Sequence, residues 1–60
     1  MNKLKEARKA AGLTQVELSR KTGLSQQDIS SIERGDREPT ASTLRKLADA
    51  LGCKIDYIVE

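Results

Sequence analysis

The sequence predicts an all-α fold, a compact bundle of five short helices, and three observations predict it. Apolar residues recur at helical spacing along most of the chain. Gly12, Gly23, Gly35 and Gly52 each fall where one of these periodic stretches ends. Thr14, Ser25 and Thr40 stand where the second, third and fourth stretches begin, and they are residue types that cap helix N-termini. Residues 1–60 make one domain, and a marginal one, since a chain this short buries only about 60% of its unfolded surface.

Leu4, Ala7, Arg8 and Ala11 share one helical face, so residues 2–11 read as a first amphipathic helix, with Met1 as a true start. Gly12 stops that helix and Leu13 is placed to pack back on its last turn. Thr14-Gln15-Val16-Glu17 is a capping box that opens a second helix running to about Thr22. Its Leu18, Ser19 and Thr22 face inward, and the small Ser19 lets another helix cross closely. Gly23 supplies a left-handed turn conformation, and Leu24 plugs the corner.

Ser25 followed three residues later by Asp28 is a second capping-box start, opening a third helix over Ser25–Arg34. Ile29 and Ile32 form its inner side. Its outer side is centred on Gln27 and Arg34, with Ser30 and Ser31 beside them and Gln26 at the edge. Asp36-Arg37-Glu38-Pro39 then makes a polar connection, and Pro39 biases its predecessor away from helix. Leu44, Leu47, Ala48 and Leu51 define a fourth helix behind Thr40, and Ile55, Ile58 and Val59 a short fifth that covers the core. Cys53 reads as a small core residue.

Two capped helices separated by Gly23-Leu24-Ser25, with a small residue at the crossing, make the helix-turn-helix pattern, whose second helix enters a DNA major groove. The outer face of the third helix suits that use. Gln can pair two atoms of an adenine edge, Ser can donate or accept, and Arg can hold guanine or phosphate. Base reading is therefore expected from Gln26, Gln27, Ser30 and Ser31. Backbone contact is expected from Thr14 and Gln15 at a helix start, where free N–H groups favour an anion, and from Arg34. Arg37 can hold phosphate or enter a minor groove. A capping role accounts for Asp28 better than cytosine reading does. The alternative reading of the third helix is an ordinary solvated surface, and the capped helix in front of it weighs against that.

With these residues in view, positions 4–58 resemble the Cro/repressor-type, lambda-repressor-like helix-turn-helix family, which contains the lambdoid phage repressor DNA-binding domains. The resemblance rests on Gly12-Leu13-Thr14-Gln15, Glu17-Leu18, Gly23-Leu24-Ser25, Ile29 through Gly35, Pro39, Leu44, Leu47-Ala48 and Ala50-Leu51-Gly52. It implies a five-helix bundle that binds operator DNA as a dimer, Gln15 on a phosphate, Ser31 at a base-reading place, and a partly buried ion pair between Arg8 and Glu33. Asp36 and Glu38 depart from the more basic members and weaken the local field around Arg37.

The charge pattern agrees with an anionic partner. The net charge is +2, but residues 1–25 carry six bases against two acids, and residues 26–60 five bases against seven acids. One cysteine and no histidine exclude a disulfide framework and a Cys/His metal set. No paired-carboxylate or nucleophile arrangement suggests an enzyme, and no cofactor is implied. The single cysteine agrees with a reducing, cytoplasmic location, and no apolar run approaches the roughly 20 residues of a membrane span. The predicted function is sequence-specific binding of double-stranded DNA in transcriptional regulation, as a repressor. The alternatives are an antitoxin with a toxin protein as second partner, and a protein-interaction module. The apolar segment Ile55, Tyr57, Ile58 and Val59 suggests a weak homodimer that pairs on a pseudo-palindromic operator, with recognition helices about 34–36 Å apart.

Overall fold

The computed structural model describes residues 2–59; Met1, read above as the chain start, lies outside the described residues. Five helices follow in order: α1 (Leu4–Ala10), α2 (Gln15–Thr22), α3 (Gln26–Arg34), α4 (Ala41–Leu51) and α5 (Ile55–Val59). α2 packs on α3 and α4, while α5 closes the far side against α1 and α4. None of the helices in the described residues is long and apolar enough to cross a membrane.

The capping pattern builds most of this. The box at the start of α2 is complete: the Glu17 N–H donates to Thr14 Oγ1 at 3.1 Å and the Thr14 N–H donates to Glu17 Oε1 at 2.8 Å. The box expected at α3 is only half made. The Asp28 N–H donates to Ser25 Oγ at 3.0 Å, but the Asp28 carboxylate accepts from Arg37 Nη1 instead of reaching back to Ser25. Aspartate is one methylene shorter than the glutamate of a full box, and an arginine from the next connection takes its charge.

The turn between α2 and α3 is fixed from both sides. Gly23 has φ of 78°, in the left-handed region. The Leu24 N–H donates to Thr22 Oγ1 at 3.2 Å, and Ser19 Oγ donates to the Leu24 carbonyl. Ser19 therefore does more than allow a close crossing, since its hydroxyl satisfies a carbonyl that the turn would strand.

Leu4, Leu18, Ile29, Ile32, Leu47 and Ile58 form the fully buried centre, one side chain or more from each helix. Each contributes on the order of 1.5–3 kcal/mol relative to exposure. Cys53 is half-buried and packs against this core, as expected.

Two expectations are corrected. The first helix begins at Leu4, not at residue 2, because Asn2 is used as a clamp. Its Nδ2 donates to the Ile32 carbonyl at 2.7 Å and its Oδ1 accepts from the Leu4 N–H at 3.0 Å. Asn2 so satisfies a free donor of α1 and a carbonyl near the end of α3 together. At the other terminus Val59 does not cover the core; it is 50% exposed, whereas Ile58 beside it is buried.

Candidate nucleic-acid interface

α3 turns Ile29 and Ile32 inward, and this fixes what it shows outside. Gln26 and Gln27 are exposed on its first turn, and neither side chain has a partner among the described residues. The other expected contact groups are already engaged. Arg34 lies back along the helix, donating from Nη1 to Ser30 Oγ and from Nη2 to Ser31 Oγ at 3.4 Å. Its Nε meets Asp36 Oδ2 at 2.9 Å. Arg37 is paired with Asp28. Both ion pairs are exposed, so water and salt screen them and each contributes little. Ser30 and Ser31 accept from Arg34 and keep their own O–H as a donor.

Arg8 and Glu33 are brought together, as the resemblance implied. Arg8 Nε donates to Glu33 Oε2 at 2.6 Å and Nη2 to Oε1 at 3.3 Å, while Nη1 donates to the Leu13 carbonyl at 2.8 Å. Their side chains are only 10% and 5% exposed. Burial of two charges is tolerated here because, among the described residues, no buried side-chain nitrogen or oxygen is left without a hydrogen-bond partner.

Gln15 joins this pair: its Nε2 donates to Glu33 Oε1 at 3.1 Å. Nothing in the sequence pattern signals this bond, which spans 18 positions. Gln15 and Glu33 meet only because the turn sets α2 across α3. Thr14 is less free than expected. Its N–H is taken by Glu17, and its Oγ1 accepts the Glu17 N–H. The Thr14 N–H, and then the Thr14 hydroxyl, hold the Glu17 carboxyl below its ordinary 4.5. Of the orphan donors that open α2, those of Gln15 and Val16 remain for an anion.

The four residues expected at a dimer contact do not form one surface. Ile58 belongs to the core and Ile55 packs against it, so Ile58 is corrected as a candidate. Tyr57 sits in a hollow with Ala7, Ala10, Ala11, Leu51 and Cys53, under Lys3 Nζ at 5.5 Å from the ring centre. Val59 lines a different hollow of about 250 Å³, with Ile32, Pro39 and Leu44. Two residues along a helix is a turn of about 200°, so the pair point to opposite sides of α5.

A family model described as "Helix-turn-helix" matches residues 4–58. The chain is 56% identical over 45 residues to an uncharacterized HTH-type transcriptional regulator, y4dJ, of Sinorhizobium fredii, covering 75% of this chain and 58% of that one. It is 42% identical to the immunity repressor protein of Bacillus phage phi105, over 95% of this chain and 40% of the repressor. It is 41% identical to the putative antitoxin HigA2 of Mycobacterium tuberculosis, over 95% of this chain and 57% of the antitoxin. The chain thus spans about half the length of these relatives.

Proposed function

The chain belongs to the helix-turn-helix family, and on that premise we propose that it binds double-stranded DNA sequence-specifically to regulate transcription, as a repressor and not as an enzyme. α3 enters the major groove, with Gln26 and Gln27 reading base edges and Ser30 and Ser31 adding contacts from their hydroxyls. Gln15, Arg34 and Arg37 hold the phosphates that set the register, with Thr14 contributing its hydroxyl. The observation that carries this reading is the exposed outer face of α3, which bears amides, hydroxyls and a guanidinium but no large apolar side chain. A helix docking on another protein needs an apolar anchor there.

One recognition helix covers too few base pairs for a unique site, so two copies pair on a pseudo-palindrome. The contact lies on the Val59 side of α5, where Val59 is 50% exposed beside a hollow of mixed apolar and polar lining, and less on the Tyr57 side, where Lys3 sets a cation over the exposed ring. A contact this small falls below about 1,200 Å² and forms on the operator more than in dilute solution.

Selection of bound sequences from a random duplex pool tests the reading. A defined two-fold motif is expected; no enrichment over the starting pool rejects sequence-specific binding. The likeness to HigA2 favours one second reading, an antitoxin that binds DNA and a toxin protein as well. Co-purification with the product of an adjacent reading frame, and neutralisation of that product's toxicity, would establish it.

A further inference from the structure

We infer that the open cleft between α1, the start of α2 and the end of α3 seats one phosphate of the bound DNA, with Lys5 and Arg34 as its cations and Gln15, oriented by Glu33, as its amide donor. This rests on the DNA-binding reading and adds to it Lys5, the shared seat and the positioning role of Glu33. The cleft holds about 340 Å³ and is lined by Lys5, Arg8, Gln15, Ser30, Glu33 and Arg34.

Its lining favours an anionic acceptor. The Arg8–Glu33 pair forms a buried floor in which the one carboxylate is held by Arg8 from two nitrogens. The remaining groups are donors. Lys5 is exposed on the rim and has no hydrogen-bond or ion-pair partner among the described residues. Gln15 Nε2 gives one hydrogen to Glu33 and keeps its second for a ligand. The Ser30 O–H is free to donate, and three bonds leave Arg34 two of its five N–H donors. An amide otherwise free to rotate is thus held by Glu33 in a cleft that two cations from different helices also line. Glu33 acts only through Gln15 and is a positioning residue. Such fixed donors place a duplex without reading its bases.

The test uses the duplex recovered by selection, with one phosphate at a time replaced by an uncharged methylphosphonate. Among the phosphates whose neutralisation weakens wild type, one per half-site should be the seated one, with a loss of about ten-fold, the size of one charge-assisted hydrogen bond. Lys5→Ala and Gln15→Ala should each weaken binding to the unmodified duplex by about as much, and each should lose its sensitivity at that same phosphate. Lys5→Arg should recover it. Lys46→Ala, on α4 and outside the cleft, should leave that position as sensitive as in wild type, which separates the seat from a general loss of charge. Glu33→Gln should weaken binding in the wild-type background and not in Gln15→Ala, when both are compared at their folded fractions. The seat is rejected if Lys5→Ala keeps full sensitivity at every phosphate, or if Lys5→Ala and Gln15→Ala lose it at different ones. Wild type that binds no selected duplex rejects DNA binding itself, and the seat with it.

Discussion

Breaking the Arg8–Glu33 pair should nearly abolish the fold, and the geometry says why. Arg8→Met keeps the apolar stem and its packing but removes the guanidinium and its three hydrogen bonds. Glu33 Oε2 then has no partner, Oε1 keeps only Gln15, and the Leu13 carbonyl loses the Arg8 N–H. With side chains 10% and 5% exposed, water does not replace those bonds at low cost. Loss of one partner from a buried pair costs about 3–5 kcal/mol. A core of this size supplies only about 3–5 kcal/mol in total, so the folded fraction should fall to half or less.

Glu33→Gln should be similarly damaging, because it leaves the guanidinium charge uncompensated and sets an amide N–H against another donor. The double variant removes both charges, and its loss should be smaller than the sum of the singles by roughly 1–3 kcal/mol. Urea melts of the four proteins measure this, in a fixed concentration of sucrose to keep the single variants partly folded. If each single variant lost less than about 1 kcal/mol, as at an exposed pair, or the two losses added, the pair would not be coupled and this account of the core would be wrong.

Gln27→Ala should cost about 1–3 kcal/mol at the preferred site and little elsewhere, whereas Gln15→Ala should weaken all duplexes alike; equal, sequence-independent losses would erase the division between reading and positioning. Operator affinity should fall by roughly 10³–10⁵ between 50 and 200 mM salt for a dimer making about six to ten phosphate contacts, and a flat titration would argue against phosphate-dominated binding. The depressed Glu17 carboxyl makes the α2 cap stabilising above its ordinary 4.5, with that contribution lost as pH falls through the lower folded value. Glu17→Gln should therefore show a flatter stability profile below about pH 4.5 than wild type, and parallel profiles would contradict it. Val59→Lys should abolish cooperative pairing on a two-half-site duplex and Tyr57→Lys should not; sedimentation showing the reverse would move the contact to the other side of α5.

The parts of this fold that were legible in the sequence are those whose causes lie close along the chain. Gly23 and Gly35 mark helix ends because left-handed backbone is costly for other residues, and the apolar spacing of Leu18, Ile29, Ile32 and Leu47 gives the core directly. The Thr14–Glu17 box is complete because both arms span three residues. The Ser25–Asp28 box fails in one arm because Arg37, nine residues away, competes for the carboxylate. The Asn2 clamp on Ile32, across 30 positions, has no local signature beyond a residue type that favours helix starts. Arg8 and Glu33 stand 25 positions apart, and only the family resemblance joins these two charges at the borders of apolar faces.

The same division runs through the candidate site. Helical spacing tells which side chains share the outer face of α3, since it follows from where Ile29 and Ile32 point. It does not tell which of them are already bound within the chain, because their partners arrive from elsewhere or depend on rotamers. Arg34 is tied to Ser30, Ser31 and Asp36, and Arg37 to Asp28. Among the described residues of α3 expected at the contact, Gln26 and Gln27 alone meet a ligand with no bond already made within the chain. Ser30, Ser31 and Arg34 meet it with part of their capacity already used. Discrimination between base pairs should thus concentrate at the two glutamines, while the arginines respond to charge and to salt.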